Sequence, residues 1–277
     1  MKRKKRIGTV GKAIGCLFFL MVSLFPIYWL VAMAIRPTDE MRGHIALIPQ
    51  SLTGIHFAEL FSAKNFGTAI INSLQTTFGS LFVSLVVGIC AAYIIARRRF
   101  RFGLKKPMTY WVLLVRVLPP VAFTIPLYIM FKKIGLYNSP WAIVIIFTVI
   151  QSAFGTYLLS SVYGTFPKSI LEAATIDGAS RWTIFRKIVF PISKPTLSVM
   201  LVFFFIWTWN EYMIPMAFLI DNSTQTIPIA VSSLTGDRLM DVTTTAAASL
   251  ISIVPTLIFY LIFQRTLSRG ITAGAVK

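Results

Sequence analysis

The sequence predicts an all-α membrane protein with six transmembrane helices and both termini in the cytoplasm. Three observations carry that expectation. Of 277 residues, 56% are hydrophobic and only 13% charged, and the mean hydropathy is +0.75, too apolar for a soluble domain with an ordinary surface. Apolar runs of spanning length recur along the chain, each near the roughly 20 helical residues that a hydrocarbon core about 30 Å thick requires. The Lys and Arg residues fall mostly in alternate gaps between these runs.

The runs cover approximately 13–35, 69–96, 108–131, 139–163, 196–220 and 244–266. The first follows MKRKKR and contains Ala32-Met33-Ala34, as a secretory signal would. It is longer than a signal's apolar region, however, and five runs follow it, so an uncleaved first span is expected. Twenty Lys and Arg residues lie before the first run, between the second and third, between the fourth and fifth, and after the last, against six in the other gaps. That bias places both termini in the cytoplasm. The whole of 1–277 reads as one transmembrane domain with a cytoplasmic tail at about 267–277. The first outer loop, about 36–67, is expected to be a docking surface, and the outer loop 221–242, rich in Ser, Thr and Asp, is unusually long.

The net charge of +18 does not point to nucleic acid. A nucleic-acid binder gathers its cations on one solvated face, whereas these are dealt out between apolar segments. Cys16 and Cys90 lie inside apolar runs without metal-ligand spacing, and no metal site is expected. His44 and His56 are the only histidines and have no partnered nucleophile in the sequence, so an enzyme is not expected. No G-x-x-x-x-G-K-[ST] stretch is present, so no ATP cradle is expected in this chain.

The cytoplasmic loop at about 164–195 contains EAATIDGASRWTIFRKIVFPISKP and reads as helix, turn, helix. Ser169 and Glu172 fit a capping box, while Thr165 and Pro167 offer an earlier start. Asp177-Gly178 should end the first short helix through a left-handed Gly. Ser180 should cap a second, running to about Val189 and stopped by Pro191, with Trp182, Phe185 and Val189 on one apolar face. Two short helices about a tight turn make a knob on which a partner can push. A plain solvated loop with an interfacial helix is the alternative.

Ionisable residues inside spans cost at least about 2.5 kcal/mol on insertion scales and usually face protein or a watery path. Arg116 and Glu211 are the candidates. With Asn210 and Gln151 they could line a solute pathway, or they could be interhelical glue.

Glu172-Ala173-Ala174, Asp177-Gly178-Ala179, Phe185, Ile188 and Pro191 resemble the EAA loop of the membrane subunits of ATP-binding-cassette importers. Asn72-Ser73-Leu74, Ala91-Ala92-Tyr93, Arg116-Val117-Leu118-Pro119-Pro120, Trp209-Asn210-Glu211 and the ending Arg269 to Lys277 resemble the carbohydrate branch, and within it the second permease subunit of maltose-type importers. Phe190 stands where that family usually has Leu. The resemblance implies a permease of a prokaryotic cytoplasmic membrane that pairs with a homologous second permease and sits on two ATPase subunits. It also implies an extracytoplasmic sugar-binding protein that delivers the solute, with ATP and magnesium held by the ATPases and no cofactor on this chain. Glu172, Ala173, Ala174, Asp177, Gly178, Ala179, Arg181, Phe185 and Pro191 would then form the ATPase-coupling element, and the loop 221–242 would reach into the binding protein's cleft. A polyol or glycerol phosphate is the other solute class in view, and a secondary transporter the other transport class. The latter would want coupling-ion carboxylates in its spans, and Glu211 stands alone.

Overall fold

The computed structural model describes residues 2–41, 45–97, 110, 114, 117, 119–164, 167–234 and 240–275, and these form helices and connections without strands. The helices are α1 (Lys2–Ala34), α2 (Ile55–Ser62), α3 (Phe66–Arg97), α4 (Thr124–Lys133), α5 (Pro140–Gly164), α6 (Lys168–Ile176), α7 (Arg181–Asn210), α8 (Met213–Phe218), α9 (Ile227–Ser233) and α10 (Met240–Ala275). Five described segments are long and apolar enough to cross a membrane: Ile14–Ala34, Phe66–Ile95, Pro140–Gly164, Arg181–Asn210 and Val242–Gln264. A span must satisfy every backbone group within itself, and an unbroken helix does so. Of the expected span at 108–131, residues 119–131 are described and hold the short 3-10 turn Pro120–Phe123 followed by α4, and Tyr110, Leu114 and Val117 are helical; the other positions lie outside the described residues.

Three expectations are corrected. The run at 196–220 is not one helix: α7 ends at Asn210, Glu211 is extended (φ −72°, ψ 126°), and the chain turns helical again at Met213. The outer connection is not a bare loop from 221 to 242, because Ile227–Ser233 is helical and α10 has begun by Met240. The end of the chain, expected as a separate tail at about 267–277, continues α10 to Ala275.

The described chain forms two compact units. One comprises Met1–Gly67 and Ala230–Val254, the other Thr68–Ile229 and Pro255–Lys277. In the first, His56 is buried on α2. Its Nε2 lies 2.8 Å from the Arg36 carbonyl, and its Nδ1 lies 3.5 Å from the hydroxyls of Thr243 and Thr244 at the start of α10.

In the second unit, glycines set how closely the long helices approach. A Cβ on Gly88 of α3 would lie 3.5 Å from the backbone of Gly155 and Thr156 on α5. One on Gly155 would meet Met200 Cε of α7 at 2.6 Å, so a side chain there displaces the flexible end of Met200 and comes into ordinary contact with the Phe204 ring at 3.5 Å. Small residues at crossings are how helices pack where water supplies no drive. Nearby, Phe131, Ile143, Phe147, Ile214 and Phe218 pack into one apolar core that joins α4, α5 and α8.

Candidate functional site: a surface knob fused to a span, and a break in that span

The knob begins at Pro167, whose extended backbone (φ −60°, ψ 121°) makes it the N-cap of α6. No side chain caps this end. The capping box expected from Ser169 and Glu172 is therefore not formed. The helix starts at Lys168, so both residues already lie inside it, exposed. Thr165 lies outside the described residues.

The C-terminal end of α6 is as expected. Gly178 has φ +78°, its N–H donates to the Thr175 carbonyl at 3.1 Å, and the Ala179 N–H donates to the Ala174 carbonyl at 3.0 Å. Those two bonds are a Schellman closure, which needs a left-handed residue at this point. Two residues on, the Ser180 hydroxyl accepts the Thr183 N–H at 3.2 Å and caps α7.

Pro191 does not stop this second helix. Arg181–Asn210 is continuous and includes a π turn at Phe185–Val189, in which the Phe190 N–H donates to the Phe185 carbonyl. The wider turn accommodates the missing N–H of Pro191 and the bulk of its ring without ending the helix. The second arm of the knob is therefore the first part of the long apolar helix itself.

The knob's surface is apolar at its tip and charged on its flanks. Ile176 and Trp182 are exposed, and Trp182 stacks on Phe185 with ring centroids 5.6 Å apart. Phe185 in turn meets Tyr93 of α3 edge-on at 5.4 Å, and Tyr93 meets Tyr163 of α5 at 6.4 Å. This aromatic ladder ties the knob to two more spanning helices. Glu172, Ala173, Asp177, Gly178, Arg181 and Pro191 are exposed, while Ala174, Ala179 and Phe185 are half-buried.

At the other end of α7 the break is closed by the two polar residues that stand on it. Asn210 Nδ2 donates back to the Ile206 carbonyl at 2.7 Å, one turn before the end of α7. Glu211 Oε1 accepts from the N–H groups of Met213 and Ile214 at 3.1 and 3.4 Å, which caps α8 with a negative charge at a positive helix end. A discontinuity at this place would otherwise leave bare backbone groups in an apolar run.

Gln151 is only 2% exposed, and its hydrogen bonds are made within the chain. Its Oε1 accepts from the Ser84 hydroxyl at 3.0 Å, and its Nε2 donates to the Thr208 hydroxyl and, at 3.4 Å, to the Phe204 carbonyl. In this conformation it binds α3, α5 and α7 together. Arg116 lies outside the described residues.

A further cluster joins Asn72 and Ser73 to the start of the outer loop and adds Asn138, which the sequence did not single out. Asn138, at φ +58°, accepts through Oδ1 from the Ile220 N–H (2.9 Å), the Asp221 N–H (3.2 Å) and the Thr224 hydroxyl (2.8 Å), and its Nδ2 donates to the Asp221 carboxylate. Asn72 Nδ2 donates to the carbonyls of Ser223 and Gln225 at 2.9 and 3.0 Å, and the Ser73 hydroxyl accepts the Ile227 N–H at 2.8 Å. Residues 219–227 are thus clamped by side chains from two distant parts of the chain. Asn after Tyr137 was a weak signal for a left-handed turn; its partners some eighty residues away had none.

Residues 84–272 match the family described as binding-protein-dependent transport system inner membrane component. The chain belongs to that family. Among relatives, this inner membrane component is similar to the trehalose transport system permease protein SugB of Mycobacterium tuberculosis, with 28% identity over 92% of this chain and 93% of that protein. It is similar also to the multiple sugar-binding transport system permease protein MsmG of Streptococcus mutans, with 29% identity over the full length of both. Among solved structures it is similar to a chain of a bacterial ABC transporter involved in the import of the acidic polysaccharide alginate. There the TM-score is 0.80 at 22% identity, over 95% of this chain and 97% of that one, a likeness of fold. The chain is thus a multi-pass component of the prokaryotic inner membrane with the permease fold of ABC importers.

Proposed function

We propose that this chain is one permease subunit of an ATP-binding-cassette importer that carries a sugar or oligosaccharide across the cytoplasmic membrane. A separate ATPase would drive it through the knob at about 164–195. The observation that carries the reading is mechanical. The knob's first arm is locked to its second by the Gly178 turn and the Ser180 cap, and the second arm is continuous with a spanning helix. A push on the exposed tip therefore reaches the membrane without crossing a flexible joint, as alternating access driven from outside the membrane requires.

On this reading both termini are cytoplasmic, as the distribution of Lys and Arg indicates. Partners are a homologous second permease, two ATPase subunits that hold ATP and magnesium, and an extracytoplasmic sugar-binding protein. The chain itself catalyses nothing and holds no metal or cofactor. Glu172, Ala173, Ala174, Asp177, Gly178, Ala179, Arg181, Phe185 and Pro191 are the coupling residues. Asn210 and Glu211 act on the solute path by keeping α7 and α8 apart. The clamped residues 219–227 are the part of the outer surface that meets the binding protein. Carbohydrate is favoured as the solute because the relatives named above are permeases for trehalose and multiple sugars.

The test is uptake of labelled sugar by cells carrying the full system, in competition with a panel of mono- and oligosaccharides, polyols and glycerol phosphate. Competition by one carbohydrate class is expected. Competition by polyols or glycerol phosphate alone would move the assignment to that solute class.

A further inference from the structure

In the first unit, the backbone that follows α1 is irregular and built inside out. Its polar partners are turned inward. Arg36, 0% exposed, donates through Nη2 to the Ala46 carbonyl at 2.5 Å, and its Nε stands 3.9 Å from Glu40 Oε2. The Glu40 carboxylate accepts the N–H groups of Gln50 and Ser51 at 3.2 and 2.9 Å and the Ser51 hydroxyl at 3.0 Å. The apolar side chains point the other way, with Leu47 63%, Ile48 74% and Leu52 73% exposed. Water would select the opposite arrangement.

Two hydrogen bonds fix how deep this segment lies. The Thr53 N–H donates to the Ile35 carbonyl at 2.8 Å, level with the end of α1. The Tyr28 hydroxyl donates to the Leu47 carbonyl, also at 2.8 Å, and Tyr28 lies within the apolar span Ile14–Ala34. Six helical residues, Trp29 to Ala34, lie between Tyr28 and Ile35, and the seven steps rise roughly 10 Å along the axis. Helical side chains lean toward the N-terminus, so the Tyr28 hydroxyl lies no nearer the helix end than its own Cα. Between these two ties the chain dips back alongside α1.

We propose that residues 45–52 form a membrane-inserted loop in the leaflet that holds the C-terminal end of α1, with Leu47 and Ile48 among the acyl chains. Irregular backbone is excluded from lipid where its polar groups lack partners. Here the carbonyls of Ala46 and Leu47 and the N–H groups of Gln50, Ser51 and Thr53 have partners and Pro49 has no N–H to satisfy, which lowers that cost for part of the segment without removing it. The exposed apolar surface also runs without interruption in kind onto α1, where Leu24, Phe25 and Ile27 are exposed. A bilayer covers both.

The experiment is spin-label accessibility in the full transporter complex, purified through this chain and placed in lipid nanodiscs. Cys16 and Cys90 are first replaced by Ala, and single labels are then set at Ile48→Cys, at Ile27→Cys as the lipid reference and at Asp39→Cys as the aqueous one. Oxygen partitions into acyl chains, and a water-soluble nickel chelate does not. The expected result is an oxygen-to-nickel accessibility ratio at position 48 equal to that at 27 and above that at 39, with Leu52→Cys between them. Nickel access at 48 equal to that at 39 would put the loop in water and overturn the proposal. Shielding of 48 from both reagents would put it against another subunit and overturn it equally. If the label at 48 prevents recovery of the complex, Leu47→Cys gives the same reading. Sugar uptake is not the readout, so failure here leaves the transport assignment standing.

Discussion

The turn within the knob, at 177–180, and the clamped segment at 219–227 both connect helices of the same unit, yet they are closed by different means. The knob is closed locally. Its turn rests on bonds from Gly178 to Thr175 and from Ala179 to Ala174, and on Ser180 capping Thr183. This leaves the side chains of Glu172, Trp182 and Arg181 free for a partner. The clamped segment is closed from afar, by Asn138, Asn72 and Ser73. A turn closed by its own backbone moves as one body and transmits force, while a turn held by distant side chains is positioned by the rest of the unit and follows it. The first suits a driven element and the second a placed one.

The largest effect should come from breaking the locally closed turn. Gly178→Val puts a β-branched residue at φ +78°, where even a simple Cβ costs roughly 1–2 kcal/mol. No atom lies within 4 Å of the added Cβ, so strain in the backbone and not a clash is the cause. Membrane abundance should stay at the wild-type level, while ATPase copurification and sugar uptake are lost. Glu172→Lys, at an exposed site on α6, should leave the turn intact and still reduce both. Normal uptake in the two variants would reduce the knob to a solvated connector.

Next in size is the distant closure. Asn138→Ala removes the acceptor shared by Ile220, Asp221 and Thr224 and the donor to Asp221. Leaving such groups unpaired costs about 1–3 kcal/mol each where they cannot reach water. Hydrogen exchange at Ile220 and Asp221 should speed up, and uptake should fall several-fold with ATPase copurification unchanged. That last measurement separates the two regions, because Gly178→Val should lose the ATPase and Asn138→Ala should keep it. Asn72→Ala should act in the same direction on the exchange of residues 223–227.

The same contrast explains what the sequence made legible. The Gly178 turn and the Ser180 cap are written in consecutive residues, and both were read correctly. The capping box was misread because Ser169 and Glu172 have the right spacing but stand inside a helix that Pro167 starts. Pro191 was misread as a stop because a π turn, which depends on packing, absorbs it. Five of the expected spans were legible because apolar length is local information, whereas the break at Glu211 was not: its run is apolar on both sides, and only the capping partners reveal it. Asn138, Arg36 and the Gln151 network are nonlocal and gave no signal beyond their residue type.

The break itself offers a smaller, sharper test. Glu211 caps α8 through Oε1, and a Gln in its place keeps that acceptor while removing the charge. If the cap is what matters, Glu211→Gln should transport near the wild-type rate and Glu211→Ala should lose about 1 kcal/mol of stability, the usual worth of a helix cap, and transport more slowly. Equal loss in both variants would mean that the charge itself is required on the path.

The smallest effect expected is of pH on the loop after α1, a third kind of closure in which one charged side chain holds backbone groups about ten residues away. Burial alone would raise the Glu40 carboxyl, but the N–H groups of Gln50 and Ser51, the Ser51 hydroxyl and the Arg36 charge outweigh it and hold the group below its ordinary value. A carboxyl lowered in the folded state contributes stability that is fully present above its unfolded pKa and is lost as pH falls through the folded one. The window therefore lies below the ordinary glutamate value of about 4.3, and nothing should change between neutral pH and that point. A spin label at Leu52→Cys should stay immobile down to that value and loosen only beneath it. Glu40→Gln keeps an acceptor and removes the titration, so its label should show no such step. Loosening of the wild-type loop above pH 5, or an identical step in Glu40→Gln, would mean that Glu40 does not hold this loop and that Arg36 and Tyr28 close it alone.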